Sequence, residues 1–541
     1  MSFMQKLERS WRESALVTMI FAIVGISLLR KIFDSDIWFH MVVGREVLRQ
    51  MGIPDVEFYI LPRLGEPGEF HEWGFGALYY LINQYSGYAG MALANAAFGC
   101  GILISLHLAA RGSTKTEWWQ SLPVIALVLW VIEPRLNFRP ETLLYLLLAV
   151  EIFLLENYLL HRKLSWLVPL PFLAWLLSLG HPSALFLIGV FGVYALQAVY
   201  SATKNKAKVA AMLGGVALAM VVGAVLNPYG LKQLLLPIYF QSDALISSLT
   251  EDLPVLQTEY ASRFIFIVVI GLAAIVFAPR KRLVDVILIL TFGLVAFKYA
   301  RNIALLGIVT YIPFKNAFDD WIVRMSRVFS RKYMMLCSTV FGIVLIAAAG
   351  TGPQWGTGIY EWNTPYNSAK LLNKFAVPGN TLNFMHLGNY LAWDFDRPVF
   401  VDGRNYGVNR AVELHDAAFR ADPGWQGIID AYNIQAIVTP ATLDFSGEII
   451  PLVTALENDP DWILVGQEKA GLLFLKSHVP DGIQVLEKNA IWNQAIEELE
   501  VTMSTYPDSR ETYRSLATAY GHLGDAAKQQ FYSAKFSAFS N

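Results

Sequence analysis

The chain has 541 residues, of which 55% are hydrophobic and 16% charged, with a formal net charge of −2. Soluble globular proteins carry about 25% charged residues, so the deficit marks long apolar stretches rather than one large soluble core. The near-neutral balance excludes a global basic field for nucleic acid. Cys100 and Cys337 both fall in apolar segments, which excludes a disulfide framework.

In chain order, the first apolar run, 15–29, follows Lys6, Arg9 and Arg12. A signal peptide also begins this way. No small-x-small cleavage site follows and acidic residues come at once, so the run reads as a retained first span. A helix needs about 20 apolar residues to cross the hydrocarbon layer, and about eleven stretches approach that length. They are 14–29, 90–110, 119–132, 142–160, 164–179, 183–200, 209–226, 263–278, 283–297, 303–314 and 334–350. The ninth and tenth are short and suit either two crossings or a re-entrant pair. The aromatic content of 13% suits belts at two membrane interfaces.

Alternate loops carry Lys6/Arg9/Arg12, Arg111/Lys115, Arg162/Lys163, Lys204/Lys206/Lys208, Arg280/Lys281/Arg282 and Arg324/Arg327/Arg331/Lys332. By the positive-inside rule these are cytoplasmic. The intervening loops, and everything after Gly350, are then expected outside. Past Gly350 the apolar runs shorten to strand length, as at 398–401, 436–438 and 472–475, with turn residues between them. The expected organisation is a transmembrane domain over 1–350, an extracytoplasmic α/β domain over 351–480 and a helical tail over 481–541. The tail segment Tyr513-Arg-Ser-Leu-Ala-Thr-Ala-Tyr-Gly-His-Leu-Gly-Asp525, with Phe531 and Ala534, resembles a tetratricopeptide repeat. Residues 491–499 suit a helix of a preceding unit. Repeat arrays need about three units to stand alone, so the tail must pack on its neighbour, on the membrane domain or on a protein partner.

The first outer loop concentrates chemistry. It reads Asp34-Ser-Asp-Ile-Trp-Phe-His40, then Gly44-Arg45-Glu46, Gly52-Ile-Pro-Asp55 and His71-Glu-Trp-Gly74, and re-enters the membrane after Gly90. Trp38 and Phe39 suit the interfacial depth, and 41–48 suits an amphipathic helix lying flat as a roof over a cavity. An acidic residue after a first span can simply respect topology. The grouping of Asp36, His40, His71, Glu72 and two tryptophans in one loop favours a site.

Cations on the outer side add to this. Arg135 and Arg139 flank Asn137 in the second outer loop, and Lys298 and Arg301 occupy the fifth. Charges at such depth mark a functional pathway or a pair, and arginine forks match phosphate oxygens bidentately. Structural pairing with Glu133, Glu141 or Asp36 is the alternative. His181-Pro182 closes the fifth span, where substrate contact and helix-end packing are both open. Asn227-Pro-Tyr-Gly230 is a turn signal. Phe400-Val-Asp-Gly-Arg404 follows a strand-like run, so Asp402 and Arg404 serve either a turn or a site. The phosphate-binding pattern GxxxxGK[ST] is absent, which argues against ATP-driven transport within this chain. Zinc-type Cys/His spacing and heptads are absent too.

Asp-x-Asp-x-Trp-x-His after a first span, then Gly-Arg, "Gly-Ile-Pro" and "His-Glu-Trp", resembles bacterial members of the GT-C glycosyltransferase superfamily. That superfamily includes protein O-mannosyltransferases, the aminoarabinose transferase of lipid A and oligosaccharyltransferases. Arg139-Pro140-Glu141, "Asn-Pro-Tyr-Gly", Gly388-Asn-Tyr-Leu-Ala-Trp393 and "Val-Asp-Gly-Arg" extend the likeness over most of the chain. The resemblance implies an α-helical polytopic enzyme of a bacterial inner membrane that uses a polyprenyl-phosphate-linked sugar. Its general base would be a first-loop acid, Asp36 or Asp34, with His40, His71, Glu72, Arg135, Arg139, His181, Lys298, Arg301 and Arg404 as substrate-binding candidates. A carboxylate can accept the proton of a weak hydroxyl nucleophile, and nearby cations stabilise the departing phosphate. Some members need a divalent metal and others do not. Asp34 and Asp36 with His40 or Glu72 are the residues that would hold one. Two other readings stay open: a non-catalytic scaffold recruiting a partner through its tail, and a lipid or solute transporter. Transporters tend to show internal repeats and broken midplane helices. No clear repeat relates the halves here, which favours an enzyme over a transporter.

Overall fold

A computed structural model of the chain describes residues 15, 18–111, 118–239, 253–278, 280–350, 354–404, 409–477, 479–507 and 509–539. Lys6, Arg9, Arg12 and Lys115, on which part of the loop reading rests, lie outside them. In chain order the helices begin with α1 Thr18–Ser27, α2 Asp36–Gln50, α3 Trp73–Arg111, α4 Trp118–Ile132, α5 Glu141–His161, α6 Leu170–Gly180 and α7 Ala184–Tyr200. They continue with α8 Lys206–Val225, α9 Leu231–Tyr239, α10 Ala261–Phe277, α11 Leu283–Lys298, α12 Ile303–Met325 and α13 Arg331–Gly350. After these come α14 Tyr366–Lys374, α15 Met385–Phe395, α16 Asn409–Phe419, α17 Trp425–Ala431, α18 Pro451–Asn458, α19 Asn489–Thr505, α20 Arg510–His522 and α21 Ala526–Ala538. The chain divides into two compact units: residues 1–32 with 71–358, and residues 33–70 with 359–541.

The first unit is helical. Four of its helices, over Trp73–Ala110, Glu141–His161, Lys206–Val225 and Arg331–Ala348, are long and apolar enough to cross a membrane, with shorter apolar helices between them. About eleven crossings were expected from hydropathy; four helices among the described residues meet the length of a span by themselves. Inside, α3 packs on α5, α4 on α12 and α13, and α6 on α8. Their buried Leu, Ile, Val and Ala side chains form one continuous core. The second span begins earlier than hydropathy suggested. Helix α3 starts at Trp73 and bends at Gly87, whose φ of 60° and ψ of −163° lie outside the helical region. Only glycine adopts such a conformation without strain, so the Gly90 boundary seen in the sequence marks a kink rather than a start. Helix α12 likewise runs on to Met325, because Lys315 and Asp319, one turn apart, pair inside it.

The second unit carries a four-stranded mixed sheet. Its strands are β1 Asn380–Asn383, β2 Ile434–Thr439, β3 Trp462–Glu468 and β4 Gly471–Lys476, in the order β1-β2-β4-β3. β1 runs parallel to β2, with Leu382 beside Ile437, and β4 is antiparallel to both β2 and β3. The expected runs 436–438 and 472–475 lie in β2 and β4. The run at 398–401 forms no ladder strand; Val399 instead bridges to Ile60. Thus the segment 33–70, read from the sequence as part of the membrane domain, groups with the carboxyl-terminal residues. Trp38 of α2, 1% exposed, meets Tyr390 of α15 edge-on at 4.9 Å. Arg45 donates to the carbonyl of Trp393 at 3.0 Å. The tryptophan that the sequence suggested for a lipid interface therefore anchors α2 to α15.

In the tail, α19 packs on β3 and β4, α20 on α19, and α21 on α20. The link to the sheet region is Glu498, whose carboxylate accepts backbone hydrogen bonds from Ala441 and Thr442 at 2.8–3.1 Å.

Candidate functional site

In the first unit, ionisable side chains gather where several helices end. The turn Glu133–Arg135 closes α4 and buries Arg135. The Arg135 guanidinium comes within 4.0 Å of Glu141 Oε1. Glu141 opens α5, a position where the helix dipole favours an acid. Arg139, half-buried, precedes Pro140, and its carbonyl accepts the Thr142 N–H at 3.0 Å. Arg301 lies in the turn Ala300–Asn302 between α11 and α12, and its carbonyl accepts the Tyr145 hydroxyl at 3.5 Å.

His181 caps the end of α6. Burial pushes its imidazole down to about 4, Arg301 adds to the shift and Glu141 opposes it. The ring is therefore neutral at physiological pH, and its Nε2 lies 3.4 Å from Glu72 Oε1. Its Nδ1 is buried without a hydrogen-bond partner among the described residues. The structure thus brings Glu72, Arg135, Glu141, His181 and Arg301 into one electrostatic neighbourhood from four stretches of chain. Lys298, at the exposed end of α11, lies with its ammonium over the Tyr299 ring at 4.9 Å. His71 is buried, with Nδ1 2.7 Å from Gln233 Oε1 and its ring 4.5 Å from that of Tyr229.

Glu133, considered above as a partner for Arg135 and Arg139, is engaged elsewhere. It accepts from Arg30 at 2.7 Å and from Arg263 at 3.4 Å. Arg30 and Arg263 had escaped notice in the sequence. The available signal was their place at the ends of apolar runs.

Asp34, Asp36, His40 and Arg404 belong to the second unit. Asp34 is buried and its Oδ1 accepts the Asp36 N–H at 3.1 Å, so it orders the first turn of α2. Asp36 is half-buried. Its Oδ1 accepts from Asn389 Nδ2 at 3.4 Å, and Asn389 Oδ1 in turn accepts the Gly403 N–H at 2.8 Å. A Cβ at position 403 would stand 3.0 Å from Asp36 Oδ1, so the glycine leaves that carboxylate its space. His40, one helical turn beyond Asp36, is buried. Arg404 pairs with Glu57 at 2.9 Å and Asp402 at 2.7 Å and lies over the Tyr59 ring at 4.4 Å. The Tyr59 hydroxyl donates to Asp402 at 2.7 Å. Burial, against the opposing Arg404 charge, holds that phenol well above its usual range. Arg404 thus ties the segment 33–70 to the strand-like run before it. Of these contacts the sequence offered only the turn-like Asp402-Gly403 pair; Asn389 was legible only as part of a motif.

Among the described residues no group of three or more His, Cys, Asp or Glu side chains is arranged to hold a metal ion.

No family model matches the sequence, and no curated protein matches it. Solved structures do. The oligosaccharyltransferase AglB of Archaeoglobus fulgidus, solved with an inhibitory peptide and a dolichol-phosphate, aligns at a TM-score of 0.57 and 11% identity over 93% of this chain and 78% of that one. The same organism's oligosaccharyltransferase tethered to an acceptor peptide aligns at 0.57 and 11% over 88% of this chain and 76% of that one. The mycobacterial arabinofuranosyltransferase AftD aligns at 0.55 and 12% over 88% of this chain and 42% of that one.

Proposed function

The chain has a GT-C-like fold, and on that premise we propose that it is a membrane glycosyltransferase. It moves a sugar from a polyprenyl-phosphate-linked donor to an acceptor at the outer face of the membrane. The observation that carries this reading is the gathering of Arg135, Arg301, Glu141, His181 and Glu72 at the helix ends of an otherwise apolar unit. Charged groups are costly at such positions and are retained for ligands or pathways. Arginine forks suit the two phosphate oxygens of a lipid-linked donor, and Arg139 and Lys298 supply further positive charge from the same loops.

The chemistry has two needs. The departing lipid phosphate needs cations as its charge grows, which is the role proposed for Arg135, Arg139, Arg301 and Lys298. The acceptor needs a base, proposed as Asp36. Asp34 is the alternate, but its Oδ1 is bonded to the backbone of α2, which favours Asp36. Neutral His181 is suited to hydrogen bonding rather than charge pairing. The reading supposes an amino terminus in the cytoplasm and a bacterial inner membrane, with the sheet-bearing unit outside. The tail, resembling a tetratricopeptide repeat, is the proposed contact for a protein partner.

The test is reconstitution of the full chain in liposomes with a polyprenyl-phosphate sugar and a mixture of peptide, lipid and glycan acceptors. Sugar transfer, with release of polyprenyl phosphate, is expected. A chain that binds the donor yet never transfers, in any acceptor mixture, would favour the scaffold reading.

A further inference from the structure

A second charged site lies at the other end of α5. The helix has 21 residues, which at about 1.5 Å per residue makes about 30 Å, the depth of a bilayer's hydrocarbon layer. Arg139 and Glu141 stand at its amino end, and Arg162 caps its carboxyl end with a left-handed φ of 55°. Beside Arg162 opens a cavity of ≈ 220 Å³ whose lining includes Glu156, Gln197, Ser201, Arg280 and Arg282.

Three arginines converge here from two separate loops, and the charges do not cancel. Glu156 is the acid in the lining. Its carboxylate receives the Arg282 guanidinium at 2.9 and 2.5 Å and the Tyr194 hydroxyl at 2.7 Å. Arg282 also meets Asp285 at 3.3 Å. Those two acids and one arginine carry a net charge of −1, and Arg162 and Arg280 bring the set to +1. An N–H of Arg162 donates to Ser201 Oγ at 2.7 Å, and its guanidinium forms no ion pair among the described residues. Arg280 is exposed and forms no ion pair among the described residues. The helix termini at this place are mixed. The carboxyl ends of α5 and α7 attract cations by themselves, which does not account for three arginines on one cavity. The amino end of α11 faces the same cavity, where Gln197 Oε1 accepts the Val284 N–H at 3.3 Å, and such an end favours an anion.

We propose that this cavity binds the phosphate headgroup of an anionic phospholipid in the leaflet at the carboxyl end of α5. Arg162 and Arg280 hold the phosphate oxygens, and Gln197 and Ser201 complete the polar wall. A lipid is favoured over a soluble phosphate because Leu159 and Leu160 continue the lining, and Leu160 is 51% exposed on the apolar flank of the helix. One end of the site therefore matches a headgroup and the other an acyl chain. Basic pockets between spanning helices suit such headgroups.

The experiment uses the full chain in nanodiscs of equal parts phosphatidylglycerol and phosphatidylcholine, with retained lipid read by native mass spectrometry after release. Wild type is expected to retain phosphatidylglycerol in preference to phosphatidylcholine. The Arg162→Gln, Arg280→Gln double variant should retain about tenfold less or lower, since each cation near an anionic surface contributes severalfold. Arg280→Gln alone, on an exposed side chain that tolerates change, should lose severalfold, and Arg280→Lys should recover part of it. Equal retention by wild type and both glutamine variants would overturn the proposal. So would an Arg280-dependent thermal stabilisation by inorganic phosphate equal to that by phosphatidylglycerol, since the cavity would then hold a soluble anion.

Discussion

Glu72 Oε1 lies 3.4 Å from His181 Nε2. The contact joins the start of α3 to the junction of α6 and α7, where burial, reinforced by Arg301, holds the imidazole neutral at physiological pH. A carboxylate against a neutral imidazole is a polar contact rather than an ion pair. That leaves the arginines of the cluster as its source of positive charge.

If Asp36 is the general base, Asp36→Asn removes the proton acceptor and keeps the shape. Turnover should fall by about 10²–10⁴-fold, with donor binding changed far less. Sugar transfer and donor binding measured side by side check this. Full activity in an Asp34→Asn, Asp36→Asn double variant would end the assignment of the base to this pair.

Arg139→Ala and Arg301→Ala should act on the other half of the reaction. Each is expected to weaken donor binding, and added salt should weaken wild-type binding as well, since exposed charge interactions are screened. Binding of a polyprenyl phosphate lacking sugar should suffer as much as that of the full donor. A loss confined to the sugar-bearing form would place these arginines at the sugar instead.

Arg404→Ala should destabilise the second unit. The change leaves Glu57 and Asp402 buried without their shared cation, and breaking a buried pair from one side costs about 3–5 kcal/mol. Thermal unfolding and hydrogen exchange of peptides spanning 55–62 and 399–404 read this out. A variant of unchanged stability with weakened substrate binding would instead point to a binding role for Arg404.

Stability of the tail's attachment should depend on pH through Glu498. Burial raises its carboxyl to about 7, against hydrogen bonds from Gln494, Ala441 and Thr442 that lower it. An acid whose folded pKa exceeds its unfolded value binds more protons folded than unfolded. Its stabilisation is therefore full below the ordinary value of 4.5 and is lost as pH rises to about 7. Exchange protection of residues 489–505 should decline across that window, and Glu498→Gln should flatten the decline.

The topology implied by the loop charges is checked with single cysteines in sealed cells, on a background lacking Cys100 and Cys337. Reagent from outside is expected to label a cysteine at Ser446 and spare one at Asn205. The reverse pattern would invert the orientation and move the proposed site to the cytoplasmic face.

How much of this was legible differs from element to element. Hydropathy is a local property, so the apolar run of α5, with Arg139 and Glu141 at one end and Arg162 at the other, could be read directly, as could strand-length runs inside β2 and β4. The concentration of Asp34, Asp36 and His40 in one loop was equally plain, because it is a matter of neighbours in the chain. Tertiary structure decided partnership. Glu133 and Glu141 look equivalent in sequence, yet packing sets Glu133 between Arg30 and Arg263 and leaves Glu141 near Arg135 and His181. Asp34 and Asp36 also look alike until backbone geometry turns one into a helix-ordering acceptor. The segment 33–70 joins the sheet-bearing unit because Trp38 and Arg404 find partners more than 340 residues away along the chain. Spacing within a sequence cannot encode that choice: it follows from which helices and strands can bury one another's faces and match one another's charges.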